Sequence, residues 1–333
     1  MRILITGGKG FVANHLANKL KKSHEVQTVD REHFDEFLRV RASKRGATRF
    51  TGTFQKIDRV GKFPKVYYKD KVLGKTQSII ARLIIGADGA RSNVARSEIP
   101  DGTNIPYVIA YHEIISAPSN TENSDYDPKR CDVIYNGTIS PDFYGWIFPH
   151  GKQASVGMGT GVDGIDLKEA TKILRENSGL ANCETIRKEG APIPLKPLEK
   201  WDNGRDVLVA GDAAGVVAPS SGEGIYYAML SGSLAAKAIK KCVTEETAQY
   251  LSEPRKDFLK KHGKVFFVLG LLQNFWYRTD HLRERFVKIC EDKDVQYLTF
   301  ESYMRKEIVK RKKREKLKIL AKDLAHLLGL AKV

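Results

Sequence analysis

Val207-Leu208-Val209-Ala210-Gly211-Asp212-Ala213-Ala214-Gly215 runs four apolar residues into a glycine, an acid and more small residues. A short apolar run ended by glycine fits a buried strand, and small residues after it leave room for phosphate where the next helix begins. The acid at the strand end, Asp212, is placed to take sugar hydroxyls. The turn continues as Pro219-Ser220-Ser221-Gly222-Glu223-Gly224. A purely structural turn would also favour small residues, for packing, so the weight of this one depends on whether others share its design.

Two others do. Gly8-Lys9-Gly10-Phe11-Val12-Ala13 fits G-x-G-x-x-A, follows an apolar strand over Arg2–Thr6 and opens a stretch of helical spacing at residues 11–22. Asp30 closes a second strand twenty residues beyond Gly10. Glycine lets the backbone turn tightly and approach a pyrophosphate, whose charge meets the helix N-terminus while the acid holds ribose hydroxyls. Gly8, Gly10, Ala13 and Asp30 are therefore candidate cofactor residues, against the alternative of a tight turn with an incidental acid. The other is Ile85-Gly86-Ala87-Asp88-Gly89-Ala90-Arg91-Ser92-Asn93, which lies between a strand and a short helix. Asp-Gly alone is a good turn, but Arg91 and Ser92 beside it could meet an anionic cofactor. Three such turns point to an α/β (α+β) chain with a Rossmann-like nucleotide-binding domain.

Composition agrees with a folded protein of this kind. The 333 residues are 41% hydrophobic and 29% charged, which excludes disorder, collagen and coiled coil, and the length suits about two domains. Lys and Arg number 56 against 40 Asp and Glu, a net charge of +16. Residues 305–333 hold eleven of the cations and three acids, a net +8 in the last 29 positions. This basic run followed by Leu317, Leu320, Leu324, Leu327 and Leu328 reads as an amphipathic helix suited to an anionic membrane surface rather than to nucleic acid. The longest apolar run, residues 265–277, is too short to span a bilayer. Cys131, Cys183, Cys242 and Cys290 are far apart and read as reduced thiols. With no signal peptide evident, the expected location is cytoplasmic with peripheral membrane contact. The eight histidines show no paired ligand spacing, and no metal is expected.

Between the turns, residues 34–46 read as a charged helix stopped by glycine. Residues 49–87 read as a meander, with residues 65–68 and 71–73 as the two arms of a hairpin. Further strands are expected at residues 105–113, 132–135, 143–148 and 154–159, joined by polar loops, and the chain is helical from Gly224 on. Tyr144, Trp146 and Phe148 alternate, so a strand puts them on one face. They are candidate pocket residues, with an ordinary aromatic core as the equal alternative. Tyr67 and Lys71 formally satisfy the Y-x-x-x-K pair of short-chain dehydrogenases and epimerases, but a hairpin does not bring them together as one helical turn would.

Several longer segments carry a resemblance: Arg31-Glu32-His33-Phe34-Asp35-Glu36-Phe37-Leu38, residues 86–95 (GADGARSNVA), Ser140-Pro141-Asp142-Phe143-Tyr144-Gly145-Trp146-Ile147-Phe148-Pro149, residues 211–224, and Val295-Gln296-Tyr297-Leu298-Thr299-Phe300-Glu301-Ser302-Tyr303. From Arg31 to Leu330 the chain resembles the geranylgeranyl reductase family, flavoproteins related to the p-hydroxybenzoate hydroxylase fold. Its C-terminal pattern is closer to the branch acting on geranylgeranyl diphosphate or the geranylgeranyl tail of (bacterio)chlorophyll than to the archaeal lipid branch. The resemblance implies FAD, a donor of the NADPH (or NADH) type, and hydride delivery to isolated double bonds of a prenylated substrate. It implies cofactor roles for Gly86, Asp88, Gly89 and Arg91, for Gly211, Asp212, Ala214 and Gly215, and for Pro219, Gly222 and Gly224 beside the isoalloxazine. It singles out no catalytic side chain, because the cofactor carries the reaction.

On this reading residues 1–95 and 203–245 form the FAD/NAD(P)-binding domain, residues 96–202 an antiparallel β-sheet substrate domain, and residues 246–333 a helical region with a basic tail. Residues 1–30 instead resemble the start of an NAD-dependent epimerase, and the family's segment before Arg31 has no counterpart. That predicts an incomplete pocket wall and impaired activity, and a natural variant, a fusion and a truncated reductase all fit. Two other readings stay open: an NAD-dependent epimerase or dehydratase, and a non-catalytic flavin-fold protein that binds membrane.

Overall fold

The computed structural model describes residues 2–6, 25–29, 31–118 and 126–306, with side chains from residue 34 onward. Gly8, Gly10, Ala13 and Asp30, and the tail from residue 307, lie outside the described residues. Strands β1 (Arg2–Thr6) and β2 (Glu25–Val29) run parallel, Arg2 opposite Glu25 and Thr6 opposite Val29. Helix α1 (Arg31–Ser43) follows, and the chain turns away from it through Gly46 at φ +95°. An antiparallel meander comes next, β3 (Gly52–Asp58), β4 (Lys65–Asp70) and β5 (Thr76–Ile80). Residues 71–73, expected as a hairpin arm, are the turn itself. The Asp70 carboxylate accepts from the amides of Val72 and Leu73 at 2.8 and 2.9 Å, and this local cap replaces ladder bonds.

Strand β6 (Ile84–Gly86) leads through the second glycine turn into α2 (Asn93–Glu98). Then come β7 (Tyr107–Ser116), β8 (Asp132–Ile134), β9 (Gly145–His150), β10 (Gln153–Thr160), helix α3 (Leu167–Asn177) and β11 (Thr185–Pro194). These five strands form one antiparallel sheet in the order β11-β7-β10-β9-β8. Strand β12 (Val207–Val209) then returns to β6 and pairs parallel to it, Val207 opposite Ile84 and Val209 opposite Gly86. A short turn of 3₁₀ helix (Gly211–Ala214) precedes four helices, α4 (Ile225–Thr244), α5 (Glu253–Trp276), α6 (Asp280–Ile289) and α7 (Lys293–Arg305).

The large sheet has two unlike faces because side chains alternate along each strand. One face buries Ile115, Ile147, Ala154, Val156 and Met158 against Ala170 and Leu174 of α3. On it the buried Glu113 carboxylate receives Tyr111 Oη at 2.9 Å, Arg175 Nη1 at 2.5 Å and Thr185 Oγ1 at 3.2 Å. Burial would raise its pKa, but these hydrogen bonds outweigh that and hold it below the usual carboxylate range. Arg175 also donates to the carbonyls of Leu180, Ala181 and Cys183, so one ion pair ties α3, β7 and the approach to β11. The opposite face carries the alternating aromatics described below.

A second core surrounds β6 and β12: Val94, Trp201, Leu208, Val209, Ala213, Tyr227, Phe258 and Phe266 all pack there. Arg59 fastens the meander to it. Its guanidinium bonds Asp206 at 2.9 and 2.8 Å and also Glu98. Asp206 is buried, which would raise its pKa, yet the bonds from Arg59 and Asn203 hold it below the usual range.

Candidate functional site

Because β6 and β12 are adjacent and parallel, their C-terminal ends deliver the second and third glycine turns side by side. The crevice beyond such ends is where open parallel sheets bind ligands. The amide of Ala210 donates to Gly86 O at 2.9 Å, extending the pairing to the mouth of the crevice. Gly86 is required by packing, since a Cβ there would lie 2.8 Å from Val94 Cγ1 and 3.1 Å from Val209 Cγ1. Gly89 has φ +86°, and a Cβ there would have nothing within 4 Å, so the turn leaves open space at this position. Asp88 accepts from Ser92 Oγ and from the amides of Asn93 and Val94 at 2.8 and 3.2 Å. Its carboxylate therefore fixes the N-terminus of α2, alongside the N-cap Ser92, whose Oγ accepts from Ala95 N at 2.8 Å. Arg91 stays exposed.

In the third turn Gly211 and Gly215 take φ +65° and +74°. Gly211 N donates to Ser231 Oγ at 2.9 Å, drawing the turn onto α4. Asp212 lies beside the start of α4: a Cβ on Gly224 would stand 3.4 Å from its Oδ1. Ala214 is buried, and its carbonyl accepts from Leu198 N at 3.0 Å.

Residues 219–224 form a loop clamped from three directions. Tyr144 Oη donates to Ser221 O at 2.8 Å, Tyr277 Oη to Ser220 O at 3.3 Å, and Lys306 Nζ to Glu223 Oε2 at 2.8 Å. Burial raises the pKa of both tyrosines, so each keeps the proton it donates. Gly222, at φ +65°, faces Phe143, Tyr144 and Ile193, with the nearest of them 3.6 Å from a Cβ position. The buried Pro219 lies beside Gly270 of α5. The loop thus joins the parallel-strand crevice to the large sheet.

On that sheet Tyr144, Trp146 and Phe148 do share one face. They are half-buried, with Tyr144 edge-on to Trp146 at 6.1 Å and Trp146 stacked on Phe148 at 6.3 Å. The facing Gly157 makes room for the indole, since a Cβ there would lie 2.7 Å from Trp146 Cζ2. Trp146 Nε1 donates to Ser155 Oγ at 3.1 Å, which also lies 3.0 Å from His112 Nδ1. Burial lowers the pKa of His112 against the opposing pull of Glu189, whose Oε2 lies 3.1 Å from Nε2. Tyr135 extends the row, 6.1 Å from Tyr144 and 5.1 Å from both Tyr277 and Phe286.

The structure thus brings Gly86, Asp88, Gly89 and Arg91, Gly211 to Gly215, Pro219 to Gly224 and the aromatic strand into one region. Sequence reasoning missed His112, Ser155, Tyr135, Tyr277 and Lys306. His112 and Ser155 were legible only as alternate positions on strands, and the others join through tertiary packing. The epimerase pair does not form: Tyr67 is on β4, Lys71 is in the following turn, and the lysines near the Tyr67 ring are Lys56 and Lys65, at 5.0 and 5.4 Å.

Parallel strand ends carrying glycine turns are thus docked by one loop onto an antiparallel aromatic sheet, a two-part fold. A flavin-dependent brominase, Bmp2, shares that fold, with a TM-score of 0.57 at 16% identity over 84% of this chain and 82% of Bmp2. A geranylgeranyl bacteriochlorophyll reductase-like protein from Thermoplasma acidophilum is more similar, with a TM-score of 0.67 at 22% identity over 77% of this chain and 66% of that one. Residues 114–188 match the model of the geranylgeranyl reductase catalytic domain. The geranylgeranyl diphosphate reductase of Rhodobacter capsulatus is 55% identical over 305 residues, 92% of this chain and 77% of the relative. The chain belongs to the geranylgeranyl reductase family.

Proposed function

We propose that this chain is a FAD-dependent reductase that uses NAD(P)H to saturate isolated double bonds of a geranylgeranyl group, carried on a diphosphate or on (bacterio)chlorophyll. The observation that carries the reading is the loop at residues 219–224, which joins the glycine crevice to the face of Tyr144, Trp146 and Phe148. The residues present fit FAD: Gly89 combines positive φ with open space, Gly222 combines positive φ with contacts to side chains alone, and Asp212 stands at the head of α4. Gly86, Gly89 and Arg91 would border the nucleotide, Asp212 the ribityl or pyrophosphate region, and Gly222 to Gly224 the isoalloxazine. When bound and reduced, FAD would supply the hydride that an unactivated alkene cannot obtain from protein side chains, and a proton, drawn ultimately from water, would complete the two hydrogens added to each bond.

What the chain contributes is position and environment. The aromatic row offers an apolar track for a prenyl chain and excludes water from it. Tyr144 and Tyr277 hold the loop by donating to its carbonyls, so a prenyl bond lying on Tyr144 is held at a fixed place relative to Gly222. The domain division drawn from the sequence, with the sheet as the substrate part, is proposed on the same grounds.

The test is anaerobic incubation of the purified protein with FAD, NADPH and geranylgeranyl diphosphate, followed by mass spectrometry. A gain of two hydrogens per reduced bond is the expected result. Flavin reduction by NADPH with no change in any geranylgeranyl substrate would sink the reading and leave the non-catalytic flavin-fold protein.

A further inference from the structure

Helix α5 has two sides. One buries Phe258, His262, Phe266, Gln273 and Trp276, and there Gln273 Nε2 donates to Asp142 O at 3.4 Å, beside the loop and the aromatic strand. The other side leaves large apolar groups in solvent: Phe267 is 73% exposed and Leu271 59%, with Val268, Leu272 and Phe275 exposed beside them. Spacing of four residues sets Phe267, Leu271 and Phe275 in line along the helix. No charged residue falls between Lys264 and Arg278. Exposed Lys256, Lys260, Lys261 and Lys264 precede the apolar stretch, and exposed Arg278 follows it.

Helix α7 repeats the arrangement. None of its residues is buried, and Tyr297, Phe300 and Met304, at spacing three and four, are half or more exposed. It ends at Lys306, whose carbonyl lies 3.2 Å from His262 Nδ1 on α5. That contact is on the buried side of α5, and residues 307–333, beyond it, carry nine Lys/Arg against three acids.

We propose that the exposed face of α5, from Phe267 to Phe275, docks on an anionic lipid surface, with the exposed lysines before it and Arg278 after it meeting the headgroups and the net positive charge of the sequence after Lys306 adding to the attraction. An apolar strip bordered by lysines at one end and arginine at the other is the pattern of a helix lying in a bilayer interface. Among the described residues no helix is long and apolar enough to cross a membrane, so the contact is with one leaflet. A second copy of the chain fits this face poorly, because cationic borders would meet cationic borders. The inference needs no flavin and no prenyl substrate, and it stands or falls separately from the reaction proposed above.

Flotation of the full chain tests it, using phosphatidylcholine vesicles with and without phosphatidylglycerol. Wild type should float with the anionic vesicles and release as salt is raised. Phe267→Glu with Leu271→Glu should weaken partitioning by about tenfold or more. Val268→Ser with Leu272→Ser, a milder pair on the same face, should weaken it less, and both should keep the wild-type melting transition. Replacing Lys310, Arg311, Lys312, Lys313 and Arg314 by Gln should reduce the salt dependence. Equal flotation of wild type and the folded glutamate pair would overturn the proposal. So would a wild-type dimer that this pair converts to monomer without any vesicle binding.

Discussion

Gly215 and Gly222 both take positive φ, but different constraints put them there. A Cβ on Gly215 would stand 2.3 Å from Lys196 O and 3.0 Å from Pro197 Cα, atoms of backbone that cannot give way. Gly215→Ala should therefore cost about 3 kcal/mol or more of stability, read from denaturant unfolding. Around Gly222 the nearest atoms are 3.6 Å away, all in side chains, so Gly222→Ala should cost only about 1 kcal/mol of backbone strain. Its larger effect should be on flavin titration, because the added methyl occupies the face that the proposed ring needs. Glu113 tests the buried ion pair in the same way. Glu113→Gln leaves Arg175 without its counter-charge and should cost about 3 kcal/mol. The Glu113 pKa is lowered in the fold, so its stabilisation is fully present above the ordinary carboxylate range and is lost as pH falls through the folded value. The wild-type melting temperature should drop more steeply on acidification than that of Glu113→Gln.

At the scale of elements, the loop at residues 219–224 holds the two halves of the site together. Tyr144→Phe with Tyr277→Phe removes both hydroxyl donors to it while keeping both rings. Stability should fall by about 1 to 2 kcal/mol, because two carbonyls lose partners, and FAD affinity should fall with it. The opposite face of the sheet, with its Glu113 ion pair, should stay intact, as a near-ultraviolet dichroism spectrum of native shape would report. The glycine turns were legible in the sequence because positive φ and close approach leave glycine little competition. Strand β11 was not: Gly190, Pro192 and Pro194 read as breakers, and they are tolerated because β11 is the sheet edge. Helix α3 has no counterpart in the sequence expectations either, although Asp166 caps it and Ala170 and Leu174 mark a buried stripe. Asp88 shows the limit of motif reading. Its place beside the crevice was legible, but its carboxylate is spent on the start of α2.

At the scale of the whole molecule, long-range polar contacts hold parts together that no local pattern announces. Arg59, Lys306 and Tyr277 each reach across the fold to a partner far away in sequence. Arg59→Ala should cost about 3 kcal/mol, since it takes the main counter-charge from the buried Asp206 and the half-buried Glu98, and the loss should appear in thermal unfolding. The family was readable from long motifs, and the shared face of Tyr144, Trp146 and Phe148 from their alternation. Lys306, which ties α7 to the loop, was legible only as one of the tail's many cations.

The central claim is that this crevice holds FAD, and the most direct measurement is a visible absorption spectrum of the purified full chain during titration with FAD. The account predicts protein-bound oxidised flavin at one FAD per chain, with weaker binding in Gly222→Ala at nearly unchanged stability. A folded protein, shown by its cooperative melting transition, that binds no added FAD would contradict it.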